Sequence, residues 1–247
     1  MSIDQEPKQV NQTPGATPTE TPDSHDRDLG DRVAETLRPL KPKLRGWLHL
    51  GWTPLAFISG LVLVIAAPTT LGKIGGAVFL VGSLLLFGTS ALYHRRTWSP
   101  LGDRTLRRID HANIFVFIAA TYTPLALLLL SGRSRILLLA IIWSAAVAGL
   151  LFRVLWLSAP RPLYVALYLV MGWAALGWLG QFLASGGPLI LSLIVAGGLC
   201  YTVGAIVYAR KRPDPSPRWF GFHEIFHAFT ILGSGCHFAA IALATFR

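Results

Sequence analysis

The chain is poor in charge. Only 14% of its 247 residues are Asp, Glu, Lys or Arg, against roughly 25% in ordinary globular proteins. A water-soluble molecule of this size could not cover its surface with so few polar groups. Cysteine is nearly absent too, with two residues in all, which excludes a disulfide framework. Both Cys200 and Cys236 sit in apolar runs and read as small core residues. Acid is scarce outside the first 35 residues: beyond Glu35 only Asp103, Asp110, Asp214 and Glu224 occur, and the chain carries a formal charge of +10. That surplus does not mark a nucleic-acid-binding face, because the basic residues fall in clusters between apolar runs instead of lining one surface. What the chain has in quantity is apolar surface. Hydrophobic residues make up 53% of it, with eight Trp, thirteen Phe and six Tyr, and the mean hydropathy is +0.52.

Two polymers are joined end to end. Residues 1–40 form an acidic, Pro- and Thr-rich tail with Pro7, Pro14, Pro18 and Pro22, and eight of the twelve acids lie at or before Glu35. Such a segment cannot bury enough apolar surface to offset its chain entropy, so it is expected to be disordered. It has no apolar h-region and does not read as a signal peptide. Residues 41–247 are the membrane body.

A helix needs about 20 apolar residues to cross the hydrocarbon core. Seven runs reach that length, at about 47–67, 73–94, 110–130, 135–157, 162–183, 188–209 and 219–243. Turn or charge chemistry separates them, notably the basic stretch 95–108 and the sequence Gly186, Gly187, Pro188. Lipid offers no partner to an open backbone, so the runs are expected to be helices. The fold class is all-α: an integral membrane bundle of seven transmembrane helices. Basic residues set its orientation. Alternate compartments receive eighteen and four Lys or Arg, which puts the N-terminus in the cytoplasm and the C-terminus outside.

Ionisable groups inside a membrane are costly and mark functional positions. His223 and His227 stand at i and i+4, so they share a helix face and are spaced to bind one metal ion. The run His223, Glu224, Ile225, Phe226, His227 matches the HExxH pattern of soluble zinc proteases. Here, though, no third ligand lies suitably downstream. His237 is ten residues on, about 15 Å along the helix, and reads as a buried helix–helix hydrogen-bonding group. The third ligand must come from another helix. Ser90 and His94 share a face at the end of the second run, and Asp110 opens the third. The topology brings these groups and the start of the seventh run to one membrane depth on the cytoplasmic side. Three imidazoles with a carboxylate or water suit tetrahedral zinc. His111 points about 100° away from Asp110. Glu224 is turned by the same angle from His223 and reads as a supporting base or as the partner of Arg218 or a lysine.

The set of Ser90 with His94, Asp110, and His223 with His227 on seven helices resembles the hemolysin III branch of the PAQR (progestin and adipoQ receptor) family. Supporting stretches are Arg45 to His49, Arg108 to Phe115 and Thr121 to Pro124. The resemblance covers roughly residues 40–247. It implies a Zn2+ ion held by His94, His223 and His227, with Asp110 and Ser90 as the catalytic groups. It also implies membrane lipids as partners and a multi-pass place in the cell membrane, that of a bacterial plasma membrane. The activity it points to is hydrolysis of a lipid amide or ester, of the ceramidase type, in the service of membrane lipid homeostasis. The second reading is a non-enzymatic membrane sensor or receptor with structural zinc. A cytolysin, the activity behind the family name, fits permanent spans less well.

Overall fold

A computed structural model describes residues 42–247; the expected disorder of the tail falls outside them. Among the described residues the chain is helical, with no β-strand beyond one isolated bridge, Ser216 to Phe220. Helix α1 spans Trp47–Ala66, α2 Thr70–Ser83, α3 Thr89–Arg95, α4 Pro100–Leu129, α5 Gly132–Leu155, α6 Arg161–Gly172, α7 Leu179–Arg210 and α8 Phe222–Thr245. A π-helical turn, Leu84–Gly88, joins α2 to α3, and a 3₁₀ turn, Ala174–Trp178, lies between α6 and α7.

Among the described residues six stretches are long and apolar enough to cross a membrane: Trp47–Ala66, Thr70–Arg95, Pro100–Leu129, Gly132–Leu155, Arg161–Arg210 and Phe222–Thr245. Their outward faces carry large apolar side chains such as Leu155, Val170, Ile65 and Ile136, each more than two-thirds exposed. That surface is unfit for water and suited to lipid. The protein is a multi-pass membrane protein.

Two departures from the sequence reading have local causes. The basic stretch 95–108, expected to be a break, is mostly helix. Ser99 caps α4 by accepting from the Gly102 N–H at 3.2 Å, and Pro100 sits in the first turn, where its missing N–H costs nothing. The helix therefore starts ten residues before the apolar run and carries its arginines beyond the span. The fifth and sixth runs lie in one helical stretch of 50 residues, interrupted where Gly187 takes φ 76° and ψ 174°, a conformation open to glycine. Across that break the halves run antiparallel. The Tyr164 and Tyr208 hydroxyls meet at 3.3 Å, and Trp173 Nε1 donates to Thr202 Oγ1 at 3.0 Å. Arg247 closes the turn by donating to the carbonyls of Ser185 and Gly186.

Helix α4 is the axis of the bundle. It packs against α2, α3, α5, α6, α7 and α8, and it is by far the most buried of the six stretches. Its small residues, Ala112, Ala119, Ala120 and Ala126, are all buried, which lets neighbours approach closely, as in other membrane bundles.

Candidate metal centre

Two helices, α3 and α8, converge on one end of α4. The first contribution comes from α3. The π turn ahead of it inserts an extra residue and rotates α3 by about 100° relative to a continuous α-helix. Ser90 and His94 are thereby buried against α4. The turn's loosened backbone is satisfied by Asn113 of α4, whose Nδ2 donates to the Leu85 carbonyl at 2.9 Å and to Thr89 Oγ1 at 3.0 Å. The second contribution is Asp110 on α4, 8% exposed, with Ser90 beside its carboxylate. The third is the start of α8. Its first N–H groups are met by acids: Gly221 N–H donates to Glu224 Oε2 at 2.8 Å and Phe222 N–H to Asp214 Oδ1 at 2.9 Å. Acidic side chains at a helix N-terminus also suit its dipole.

The structure brings His94, His223 and His227 together. One ligand nitrogen from each lies within 4.8 Å of the other two, and His94 Nε2 and His223 Nε2 are 3.2 Å apart. On a tetrahedral zinc ion, with Zn–N of about 2.0–2.1 Å, two nitrogens stand about 3.3 Å apart. The donor set thus fits a metal ion of that size. Asp110 Oδ2 is 3.8 Å from His94 Nε2, next to the cluster but outside the trio. His111, one residue on, faces elsewhere. Its Nδ1 accepts from the Arg153 guanidinium at 2.7 Å, and its backbone carbonyl accepts from the Tyr168 hydroxyl at 3.0 Å. His237 is the interhelical group that its spacing implies, with Nε2 at 3.1 Å from the Ile194 carbonyl.

The partner of Glu224 is neither Arg218 nor a lysine but Arg45, just ahead of α1, whose Nε donates to Glu224 Oε1 at 2.5 Å. With both carboxylate oxygens engaged and the side chain fully buried, Glu224 caps α8 and fastens the segment before α1 to it. That segment lies against the site. Gly46, at φ 81°, leaves no room for a Cβ beside His94, and the Lys43 and Leu44 N–H groups bond to the carbonyls of Arg218 and Trp219.

His223 and His227 stand at one end of a cavity of about 130 Å³ that runs inward along α4. Ser90, Asp110, His223 and His227 line that end, and Phe117, Ile118, Leu125 and Ile194 line its apolar depth. Two buried groups of this region carry no spacing signal in the sequence. His49 lines the cavity and is 2% exposed. Arg153 is 1% exposed and its guanidinium lies 4.3 Å from the Tyr164 ring centre. A lone arginine near a helix end carries no sequence signal of burial.

Fold and site together define a multi-pass membrane protein with a three-histidine cluster, suited to a metal ion, at one end of an apolar cavity. The model of the Haemolysin-III related family matches residues 37–238, and the chain belongs to that family. It is 33% identical to the Hemolysin-3 homolog of Bacillus subtilis (strain 168) over 206 residues, covering 82% of this chain and 93% of that protein. Hemolysin-3 of Bacillus cereus is 31% identical over 187 residues, 73% of this chain and 81% of that one. The Adiponectin receptor protein of Drosophila melanogaster is 27% identical over 237 residues, 81% of this chain and 50% of that one. The chain thus falls in the hemolysin III branch of the PAQR family.

Proposed function

We propose that this protein is a zinc-dependent hydrolase that cleaves an amide or ester bond of a membrane lipid and contributes to lipid homeostasis. The observation that carries the reading is the placement of three ligand nitrogens within 4.8 Å of one another, two of them on His223 and His227 at the end of a largely apolar cavity that Asp110 and Ser90 also line. His94, His223 and His227 would hold the ion. Zinc bound there supplies a Lewis acid for a scissile carbonyl and makes water a usable nucleophile near neutral pH. The remaining work falls to the chain. Asp110 positions the attacking water and takes its proton. Ser90 orients that water or donates a hydrogen bond to the oxygen on which charge develops. The cavity's apolar depth receives the lipid's hydrocarbon.

The same proposal sets the protein in the bilayer with seven crossings, N-terminus cytoplasmic and C-terminus outside. A stretch of 50 residues would measure about 75 Å as one straight helix, more than twice the roughly 30 Å core. Its antiparallel halves support two crossings. The excess of Lys and Arg in alternate loops supports the orientation and puts the histidines in the cytoplasmic half.

The test is a zinc-replete preparation incubated with a library of lipid amides and esters, with products followed by mass spectrometry. Release of a free fatty acid by the wild type, abolished by chelation and restored by zinc, is the expected result. Zinc uptake with no turnover of any lipid would transfer the protein to the sensor class named by its adiponectin receptor relative, with a structural ion.

A further inference from the structure

We infer that His49 is a positioning residue of the metal centre, holding the His227 ring in place through its face. The inference rests on the metal reading above. A metal-binding imidazole almost always donates its second ring nitrogen to a carboxylate, a carbonyl or water, and that bond fixes the ring's orientation. On His227 no such bond is made through Nδ1, which is buried and has no hydrogen-bond partner. What the ring has instead is His49, lying parallel to it with centroids 3.7 Å apart and planes 10° apart. The rings of His94 and His223 meet His227 at steep angles, 58° and 63°, so neither supplies a face.

His49 is itself held. Phe87 of the π turn meets it edge-on at 5.1 Å and 85°, and Thr53 Oγ1 donates to the His49 carbonyl at 2.6 Å, one turn along α1. Neither ring nitrogen of His49 makes a hydrogen bond of good geometry, although the ring also approaches the His227 backbone; the contact that reaches the His227 ring is the stack of the two rings. His49 also opens α1 only a few residues after Arg45, the partner of Glu224. The start of α1 thus steadies the two ends of the segment Glu224 to His227, one end by an ion pair and the other by a stack.

The test compares zinc affinity, by competition with a chromophoric chelator, for detergent-solubilised wild type, His49→Phe, His49→Leu and His49→Met. Each sample is first checked for monodisperse elution. Phe keeps an aromatic face without a nitrogen; Leu and Met fill the space without a face. An aromatic pair contributes enough beyond its area to change affinity by about three- to tenfold. The expected result is a three- to tenfold weaker zinc affinity for Leu and Met, with Phe within about twofold of wild type. Equal weakening in Phe and Leu would mean that His49 acts through a nitrogen, and it would overturn the inference. Wild-type affinity in both Leu and Met would overturn it as well, while leaving the metal reading intact. A wild type that takes up no zinc, measured first beside His227→Ala, sinks the metal reading and this inference with it.

Discussion

His227 and His237 lie ten residues apart on one helix, and both are buried histidines at the cavity wall; their surroundings separate them. His227 is grouped with two other imidazoles, whereas His237 faces a backbone carbonyl. His227→Ala leaves two ligands, too few to hold zinc tightly, and is expected to lose most of the bound metal. His237→Ala is expected to keep it. Elemental analysis of the two purified variants decides the matter, and equal loss in both would refute the ligand assignment. Asp110 invites a different substitution. Its carboxylate stands 3.8 Å from His94 Nε2, beside the trio. Asp110→Asn preserves the shape and removes the basicity. The variant is expected to retain zinc and lose turnover by a factor on the order of 10² to 10⁴, the range for a positioned general base. Retained zinc with undiminished hydrolysis would remove Asp110 from the mechanism. The histidine trio was legible in the sequence because i, i+4 spacing and membrane depth are both readable from residue order. The face-to-face contact of His49 with His227 was not, because no spacing rule specifies which rings of two distant helices will stack.

Between α2 and α3, the π turn shows where element-scale reasoning runs out. An apolar run at about 73–94 announces a helix, but nothing in Leu84 to Gly88 announces that one turn will be wide. The signal lies on another helix, in Asn113, which supplies the hydrogen bond that the wide turn needs. The start of α1 is similar: Arg45 reads as one more cytoplasmic arginine until Glu224 is found 179 positions away. Breaking a buried ion pair by removing one partner costs about 3–5 kcal/mol. Arg45 keeps some contact with solvent, at 19% exposure, so Arg45→Ala is expected to cost somewhat less, about 2–3 kcal/mol. A thermal melt of the detergent-solubilised protein would show it as a clear drop in midpoint relative to wild type. Because Glu224 caps the helix that carries two of the three ligands, the same variant is expected to bind zinc more weakly. Any turnover should then fall only in step with zinc occupancy. A loss of turnover at full occupancy would return Glu224 to the list of catalytic candidates.

Taken as a molecule, the chain follows its composition closely. Low charge and long apolar runs dictated helices, lipid-facing surfaces and the all-α class. Composition alone does not specify how the stretch 161–210 negotiates the bilayer; the sequence Gly186, Gly187, Pro188 marks the break, and the contacts between the two halves show the reversal. Reporter fusions test the arrangement directly. Alkaline phosphatase, active only outside the cytoplasm, is joined after Ser158, after Gly186, after Arg212 and after Arg247. Two crossings within the stretch require the Ser158 and Arg212 fusions to agree and the Gly186 fusion to differ from both. The positive-inside count adds the sign: Ser158 and Arg212 inactive, Gly186 and Arg247 active. Agreement of Gly186 with its two neighbours would mean that the segment dips into the membrane without crossing. The bundle would still end outside, with five spans in place of seven. An inactive fusion after Arg247 beside an inactive one after Arg212 would instead mean that α8 does not cross. The histidines would then lie on a helix that enters and leaves by the same face, and a lipid in the bilayer core would have no route along α8 to reach them.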